Sequence, residues 1–358
     1  MIDSESGTPY LYERYWLQHP EAEFRLLPSD NIGYLDFPGP VLPRLEAAII
    51  RLHAQVGNAI TEGRRIVVGV GSAEVLMASM WVQAGAAMKS STSNGPVQVY
   101  SQPPYYSAYP EVATALGSRD FTWTNMSSND LSSAQQDVVE FACSPNNPDG
   151  ALQNQTIAGS RVIHDHAYYW PHYTPIMHPV DYGPQDIAVF TLSKLTGHAS
   201  SRIGWAVVGD PALADGMQQY VNWHGNIPLE SQARAATLLE HVIGSQGGIF
   251  SYGRVEMQRR WTLLSDLAAG QQRFTFQSRQ AAFDHWSGRT EMATPPYLWI
   301  RCNQERDADC AMTLQQAGIT PRDGQKFGAS AQYARLSLLM RQMDFDKMAL
   351  KLERLMMG

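Results

Sequence analysis

The chain has 358 residues, of which 44% are hydrophobic and 17% charged, and its formal net charge is −7 at neutral pH. These values predict a folded globular protein large enough for two lobes, and the lack of a basic run argues against nucleic acid or an anionic membrane as the main partner. No apolar stretch is as long as a membrane span, and residues 1–20 lack the basic and apolar regions of a signal peptide, so we predict a cytoplasmic protein.

The first part of the chain combines an arm, a helix and a strand. Residues 1–40 are rich in proline, glycine and aromatic side chains without a sustained period, which predicts an arm that packs on the small lobe or on a partner subunit. Residues 42–61 have apolar side chains at helical spacing. A buried strand is predicted at residues 65–70. It leads through Gly71 into an apolar helix whose first N–H groups can hold a phosphate group.

The same strand and turn resemble part of a dinucleotide-binding fingerprint. Gly69 and Gly71 match its first two glycines, but Glu74 stands at the third glycine position, and no acidic residue is placed to bind a ribose. This mismatch disfavours a dehydrogenase.

Two further predicted strands end in turns that carry polar and aromatic side chains. The strand at residues 95–100 is followed by the run Q-P-P-Y-Y-S-A-Y, which includes Tyr106. The strand at residues 138–142 is followed by S-P-N-N-P-D-G, which includes Asn147. Both turns are expected at the carboxyl edge of the sheet, where open α/β sheets bind ligands.

Residues 161–173 contain three histidines and an aspartate. His164 and His166 share one face of a strand, but no cysteine or further carboxylate completes a ligand set with them and His172, and Asp165 points to the other face. We therefore predict no metal at these histidines. A carboxylate at the end of this strand can instead pair with the ring nitrogen of a pyridine-containing cofactor and keep that nitrogen protonated.

Residues 186–209 carry the strongest pattern. An apolar run ends at Ser193 and Lys194, a turn rich in glycine, histidine and serine follows, and Arg202 precedes a second apolar run. A lysine at a strand end, flanked by hydroxyl groups and with an arginine eight residues on, suits covalent capture of an aldehyde whose phosphate is held nearby. The pattern predicts a lysine that binds pyridoxal 5'-phosphate, PLP.

The remaining chain is predicted to form two helices in residues 211–243, a long helix in residues 252–270, and then short strands and a closing helix at residues 345–356. Arg335 lies in the middle of one of these strands, where an unpaired arginine is costly. Binding a substrate carboxylate would explain it, and an ion pair within the lobe is the alternative.

The run S-K-L-T-G-H-A-S-S-R-I-G-W-A at residues 193–206, together with S-P-N-N-P-D-G and V-I-H-D-H-A-Y-Y-W-P, resembles the alliinase and tryptophan aminotransferase-related family of fold-type-I PLP enzymes. The resemblance implies an α/β fold of the aspartate aminotransferase type, with a large mixed-sheet lobe and a smaller α+β lobe. We place the large PLP-binding domain at residues 41–250 and the small domain at residues 251–358.

The resemblance also implies a role for individual residues. Lys194 would hold PLP and move the substrate's α-proton, Asp165 would pair with the ring nitrogen, and Tyr106 would stack on the ring. Tyr168 and Asn147 would donate to the ring oxygen. His166 stands where a phenylalanine is expected in the plant tryptophan enzymes, and we expect it close to the ring.

Further implied contacts concern the phosphate and the substrate. The backbone at Ser72 and Ala73, with the side chains of Ser193 and Arg202, would hold the phosphate. Arg335, with Asn147, would bind the substrate α-carboxylate. Tyr34 would reach the phosphate of a neighbouring subunit, which predicts a homodimer with shared active sites.

The resemblance leaves two reactions open. The motifs favour an aminotransferase for an aromatic L-amino acid, L-tryptophan first, with pyruvate or another 2-oxo acid as acceptor and indole-3-pyruvate as product. The alternative is an alliinase-type C–S lyase that acts on S-alkyl-L-cysteine sulfoxides, and a third is a binding protein that has lost turnover. Cys302 and Cys310 are expected to be reduced in the cytosol, although alliinase-like sequences can bridge the same spacing.

Overall fold

A computed structural model describes residues 1–25, 27, 40–90, 95–115, 119–133, 137–223 and 225–357. Its helices are α1 (Glu13–Leu17), α2 (Pro43–Val56), α3 (Gly71–Ser90), α4 (Tyr109–Ala115), α5 (Ser128–Ser133), α6 (Leu192–Leu195), α7 (Pro211–Trp223), α8 (Leu229–Gly244), α9 (Gly248–Ala268), α10 (Cys310–Gln316) and α11 (Gln342–Met357). Its strands are β1 (Ile2–Asp3), β2 (Arg65–Val70), β3 (Val97–Tyr100), β4 (Phe121–Trp123), β5 (Val138–Cys143), β6 (Arg161–Asp165), β7 (Ile187–Thr191), β8 (Ile203–Val208), β9 (Phe274–Phe276), β10 (Ala281–Asp284), β11 (Arg289–Met292), β12 (Tyr297–Cys302), β13 (Ile319–Thr320), β14 (Arg322–Asp323) and β15 (Tyr333–Ser337).

The largest sheet within these residues has seven strands in the order β2-β8-β7-β6-β5-β3-β4. Strand β8 runs antiparallel to both of its neighbours, whereas β7, β6, β5, β3 and β4 are parallel. Strands β5, β7 and β8 are buried along their whole length, as expected for apolar runs covered by helices on both faces. The carboxyl ends of β2, β5, β6 and β7 therefore meet at one edge.

Helix α3 starts directly at the end of β2 and lies against the sheet. Gly71 has a φ of +72°, a left-handed conformation that lets the chain turn from strand to helix within one residue. The helix is apolar on most of its circumference, and Val75, Leu76 and Met80 are fully buried. It points its N-terminal N–H groups at the sheet edge where the four strands end.

A smaller four-stranded antiparallel sheet, in the order β14-β15-β12-β9, follows the long helix α9. Helix α9 begins at Gly248, earlier than the predicted residue 252, because Gln246 and Gly247, both in the left-handed region, end the preceding loop there. Arg335 lies on β15 opposite Trp299 of β12. The observed strands confirm the mixed α/β class, and the domain boundaries at residues 41 and 251 stay predictions.

Residues 1–25 lie across the small sheet and the lysine segment. Strand β1 pairs in parallel with β13, and the Leu11 amide donates to the Leu339 carbonyl at 2.8 Å. Further along, the Trp16 indole donates to the Thr196 carbonyl at 2.7 Å, two residues after Lys194. The predicted arm extends to residue 40, and its residues 26 and 28–39 lie outside the described chain.

Cys302 and Cys310 form a disulfide between the end of β12 and the start of α10. The sequence left reduced thiols and a disulfide both open for this pair, and the structure has the disulfide, with Cα atoms 5.5 Å apart, within the range that a disulfide spans. Among the described helices, none has the length and apolar character needed to cross a bilayer.

Candidate active site

A cavity of about 170 Å³ opens where β2, β5, β6 and β7 end. It gathers side chains from five separate parts of the sequence, and every residue predicted to bind the cofactor lines it except Tyr34, which lies outside the described residues. The lining includes Ser72, Ala73, Tyr106, Asn147, Asp165, Tyr168, Ser193, Lys194 and Arg202.

A larger cavity of about 810 Å³ lies between α3 and α7 and contains none of these residues. We assign function to the smaller cavity because it combines an amine, a buried carboxylate and a guanidinium group, the groups that chemistry on a charged ligand requires.

Lys194 reaches the cavity from α6, a single helical turn at the end of β7. The Thr191 hydroxyl accepts from the Ser193 amide at 3.2 Å and caps this turn. The Lys194 amine donates to the Gly7 carbonyl at 2.6 Å. Residues 1–25 therefore contact the lysine directly, which the sequence patterns did not indicate.

Asp165 ends β6 and is fully buried. Its carboxylate accepts from the Tyr109 hydroxyl at 2.9 Å and from the Ala167 amide at 3.1 Å, and no cationic side chain of the described residues pairs with it. Burial raises the pKa of Asp165, and the two hydrogen bonds oppose this rise. A buried carboxylate without a cation suits a ligand that brings its own positive charge, such as a protonated pyridine nitrogen. Tyr109 orients this carboxylate through its hydroxyl.

The N-terminus of α3 forms an anion cradle with Arg202. Arg202 has a φ of +50°, and its guanidinium donates to the Ala199 carbonyl at 3.1 Å and to the Val70 carbonyl at 3.4 Å. A Cβ atom on Gly71 would overlap this guanidinium, and one on Gly204 would overlap the Ser72 amide. The cradle has N–H donors, a positive charge and space kept free by two glycines, which fits a phosphate group.

Arg335 lies above the same cavity, almost completely buried. Its guanidinium donates to the Asn147 side-chain oxygen at 2.9 Å and to the Glu5 carbonyl at 2.6 Å, and its Nε has no partner. No carboxylate pairs with it among the residues that the structure describes, so the ion pair considered from the sequence is not found there. The geometry leaves a buried cation able to bind a carboxylate.

Tyr297, on β12, was missed by the sequence analysis because its strand reads as a plain apolar run. Its hydroxyl lies 2.8 Å from the Tyr168 hydroxyl, and the Arg335 guanidinium carbon lies 4.0 Å from its ring centre. Burial raises the pKa of Tyr297, but the charges of Lys194 and Arg335 outweigh burial and lower it. Burial, with Tyr297 beside it, raises the pKa of Tyr168. The two hydroxyls are thus hydrogen-bonded to each other close to Lys194 and Arg335.

The chain matches known proteins along almost its whole length. The family model described as Allinase matches residues 2–356. The chain belongs to the alliinase family. This alliinase-family chain is 34% identical over 364 residues to tryptophan aminotransferase-related protein 4 of Arabidopsis thaliana, covering 99% of the chain and 77% of that relative. It is 33% identical over 362 residues to alliin lyase 1 of Allium sativum, covering 97% and 73%.

Solved structures confirm the aspartate aminotransferase-like fold of the alliinase-family chain. An aminotransferase from Staphylococcus aureus matches with a TM-score of 0.70 and 17% identity, covering 100% of this chain and 94% of that one. The aspartate aminotransferase from Thermus thermophilus with maleate matches with a TM-score of 0.66 and 17% identity, covering 99% and 91%. Family and fold are those that the lysine motif predicted.

The histidines near the alliinase-family site serve hydrogen bonding behind it. His166 Nδ1 lies 2.6 Å from the Ser144 carbonyl and Nε2 lies 2.9 Å from the Tyr182 hydroxyl, and His172 bonds the Lys194 carbonyl at 3.1 Å. Burial lowers the pKa of His166 to about 3. His166 is not among the residues that line the cavity, and its side chain alternates with that of Asp165 along β6. Its closeness to the cofactor ring stays a prediction.

Gly7 has no free space for a side chain on the side that faces the site. A Cβ atom at this position would overlap the Tyr297 hydroxyl and lie 3.3 Å from the Lys194 amine. Because residue 7 is half-buried against this buried hydroxyl, Gly7→Ala should also lower the thermal unfolding midpoint by a few degrees, as overpacking usually does. We expect kcat/KM to fall by about 10-fold or more, since displacements near 1 Å at a reacting group are costly. Equal kcat/KM in the two proteins would contradict the contact.

Proposed function

We propose that the chain is a PLP-dependent aminotransferase for an aromatic L-amino acid, with L-tryptophan as the first candidate, pyruvate or another 2-oxo acid as acceptor and indole-3-pyruvate as product. The observation that carries the proposal is the convergence of Lys194, Asp165 and Arg202 on one cavity, with the unpaired Arg335 beside it. Members of the family and of this fold use PLP, and the cradle, the lone buried carboxylate and the amine fit its three functional groups.

PLP, when bound, supplies an electron-accepting ring that stabilises negative charge on the substrate α-carbon. Arg335 would hold the α-carboxylate, and Asn147, whose oxygen accepts from Arg335, would keep its amide N–H groups as donors toward the ring oxygen. Asp165 would hold the proton of the ring nitrogen. Lys194 would bind the cofactor aldehyde and afterwards move the proton between the substrate α-carbon and the cofactor.

The walls of the site support an aromatic substrate. Tyr106 and Tyr168 line the cavity, and Tyr297 lies beside Tyr168 with ring centres 5.7 Å apart. Aromatic rings pack edge to face with an indole at about this separation. These walls carry no charge with which a polar substrate side chain could pair. Several relatives of the chain carry tryptophan aminotransferase-related names.

A C–S lyase is the second candidate. β-Elimination breaks the Cβ–S bond and expels a sulfenate, which takes up a proton to leave as a sulfenic acid. The hydrogen-bonded hydroxyls of Tyr168 and Tyr297 beside Lys194 can deliver that proton. Alliin lyase 1 is about as similar to this chain as the aminotransferase-related proteins are. If the lyase is the true activity, Tyr297→Phe should reduce sulfoxide cleavage more than the rate of α-proton exchange.

A single-turnover experiment distinguishes the two. The PLP-loaded protein is mixed with L-tryptophan or with an S-alkyl-L-cysteine sulfoxide, without any 2-oxo acid. The aminotransferase predicts stoichiometric release of indole-3-pyruvate from tryptophan and no continuous product. Continuous pyruvate release from the sulfoxide would establish the lyase instead, and no reaction of either amino acid would support a binding protein.

We further propose a cytoplasmic homodimer with the large domain at residues 41–250 and the small domain at residues 251–358, in which Tyr34 of one subunit contacts the phosphate site of the other. Light scattering should give twice the chain mass of 39.8 kDa. Tyr34→Phe should weaken PLP retention, and unchanged retention would argue against a shared site.

A further inference from the structure

A cluster of three metal-ligating side chains lies outside the active site, between residues 1–25 and α8. His19 and Glu21 stand on either side of Pro20, just after α1, and His241 lies in the last turn of α8. One donor atom from each side chain lies within 4.8 Å of the other two. We propose that His19, Glu21 and His241 form a binding site for a divalent transition-metal ion, with zinc as the preferred ion.

The three side chains offer the donor atoms that zinc prefers. Two imidazole nitrogens and one carboxylate oxygen match a three-ligand zinc site that keeps a fourth position for water. Magnesium and calcium prefer oxygen ligands only, so this set selects against them. Among the described residues, His164, His166 and His172 behind the active site form no such set. His166 and His172 face backbone carbonyls and a tyrosine hydroxyl, and His164 Nε2 lies 3.8 Å from the Asp186 carboxylate.

The geometry is already close to what coordination needs. His19 Nδ1 lies 2.8 Å and His241 Nδ1 lies 3.7 Å from the same oxygen of Glu21. Tetrahedral bonds of zinc to these ligands put the donor atoms about 3.4 Å apart. Only small rotations are required, and they fall on side chains that are free to move, since His19 is 31% and Glu21 is 59% exposed.

Tyr15 fixes the ring of the third ligand. His241 Nε2 lies 3.2 Å from the Tyr15 hydroxyl, and the His241 side chain is only 11% exposed. When Nε2 carries the proton, it donates a hydrogen bond to the Tyr15 hydroxyl. Nδ1 then keeps its lone pair and faces Glu21. Metal-binding histidines generally have their second nitrogen held in this way.

Metal binding would connect two distant parts of the chain. His241 belongs to α8, which contacts β8 of the large sheet, whereas residues 1–25 contact both strand β15 of the small sheet and Lys194. A bound ion would therefore clamp the segment whose Gly7 carbonyl reaches the lysine, without touching any residue of the proposed chemistry. This inference is independent of which amino acid the enzyme uses.

The test is equilibrium dialysis of the chelator-treated, PLP-loaded protein against zinc, with metal measured by atomic emission. We expect one zinc per chain and a zinc-dependent rise in the unfolding midpoint, because an ion bound only by the folded state stabilises it. His241→Ala and His19→Ala should each weaken binding at least 10-fold. His285→Ala, which removes an exposed histidine elsewhere, should leave it unchanged.

Two further variants keep the test decisive. Glu21→Gln removes a ligand at an exposed position, so it reports on the site even if His241→Ala does not fold. Tyr15→Phe should weaken zinc binding about 10- to 100-fold, the usual effect of losing the group that orients a ligand. In cobalt-substituted protein, visible d–d absorption of a four-coordinate ion should appear and be lost in His19→Ala. Absence of stoichiometric zinc, or equal binding by the parent and all three ligand variants, would overturn the proposal.

Discussion

Lys194→Ala is expected to lower kcat by about 10⁴-fold or more, because it removes both the amine that captures the cofactor aldehyde and the general base for the α-proton. The Lys194 amine contacts only the Gly7 carbonyl among the hydrogen bonds of the described residues, so the fold should lose little with it. Visible absorbance from covalently held cofactor should disappear as well, while noncovalent binding through the Arg202 cradle should persist at reduced affinity.

Rapid-mixing absorbance and product release measure this effect. Lys194→Arg keeps a positive charge but cannot capture the aldehyde, and it should be as inactive as the alanine variant. Lys89→Ala removes an exposed lysine near the end of α3 and should react like the parent. Substantial turnover in Lys194→Ala would refute the assignment of the base.

Arg335→Ala has the second largest expected effect, and it should appear mainly as weaker binding of the amino acid. Truncating one partner of a buried, hydrogen-bonded charge pair costs about 2–5 kcal/mol, which corresponds to a loss of about 30- to 4,000-fold in kcat/KM. Arg335→Lys keeps the charge without the paired N–H groups, so its kcat/KM should lie between that of the parent and that of Arg335→Ala. The Asn147 oxygen also loses its donor in the alanine variant, which adds to the cost.

Tryptamine, which lacks the carboxylate, separates carboxylate binding from general damage. The parent should prefer L-tryptophan over tryptamine strongly, and Arg335→Ala should lose that preference while binding tryptamine about as well as the parent does. The control is Arg301→Ala on the neighbouring strand, an exposed arginine whose ring contact with Tyr333 lies away from the site. If discrimination survives in Arg335→Ala, another group binds the carboxylate.

Much of the site could be predicted from local pattern. Three adjacent parts of the sequence form the lysine segment: strand β7, the polar turn at Lys194 and the strand after Arg202. Their alternation of apolar runs and turn residues depends on neighbouring residues alone. Asp165 and Asn147 were likewise placed at strand ends, where parallel topology brings residues to a common edge. The family resemblance then assigned a role to each position.

At other positions the surroundings, rather than the local pattern, decide what a side chain does. His166 alternates with Asp165 along β6, so its side chain enters the layer behind the sheet and bonds Ser144 and Tyr182. The redox state of Cys302 was inferred from a compartment, whereas the fold places it against Cys310 at a bridging distance. Arg335 had two explanations from the sequence, and only its surroundings showed a guanidinium without a carboxylate partner in the described chain.

Residues close along the chain were enough to predict the strand–lysine–strand segment, the helix start after Gly71 and the family. Tertiary structure alone decided which distant groups meet: Gly7 with Lys194, Tyr168 with Tyr297, Asn147 with Arg335, and His19 and Glu21 with His241. These pairs are separated by well over 100 residues, and no local periodicity encodes such a separation. They meet because the order of strands in the two sheets and the path of residues 1–25 bring their backbones together.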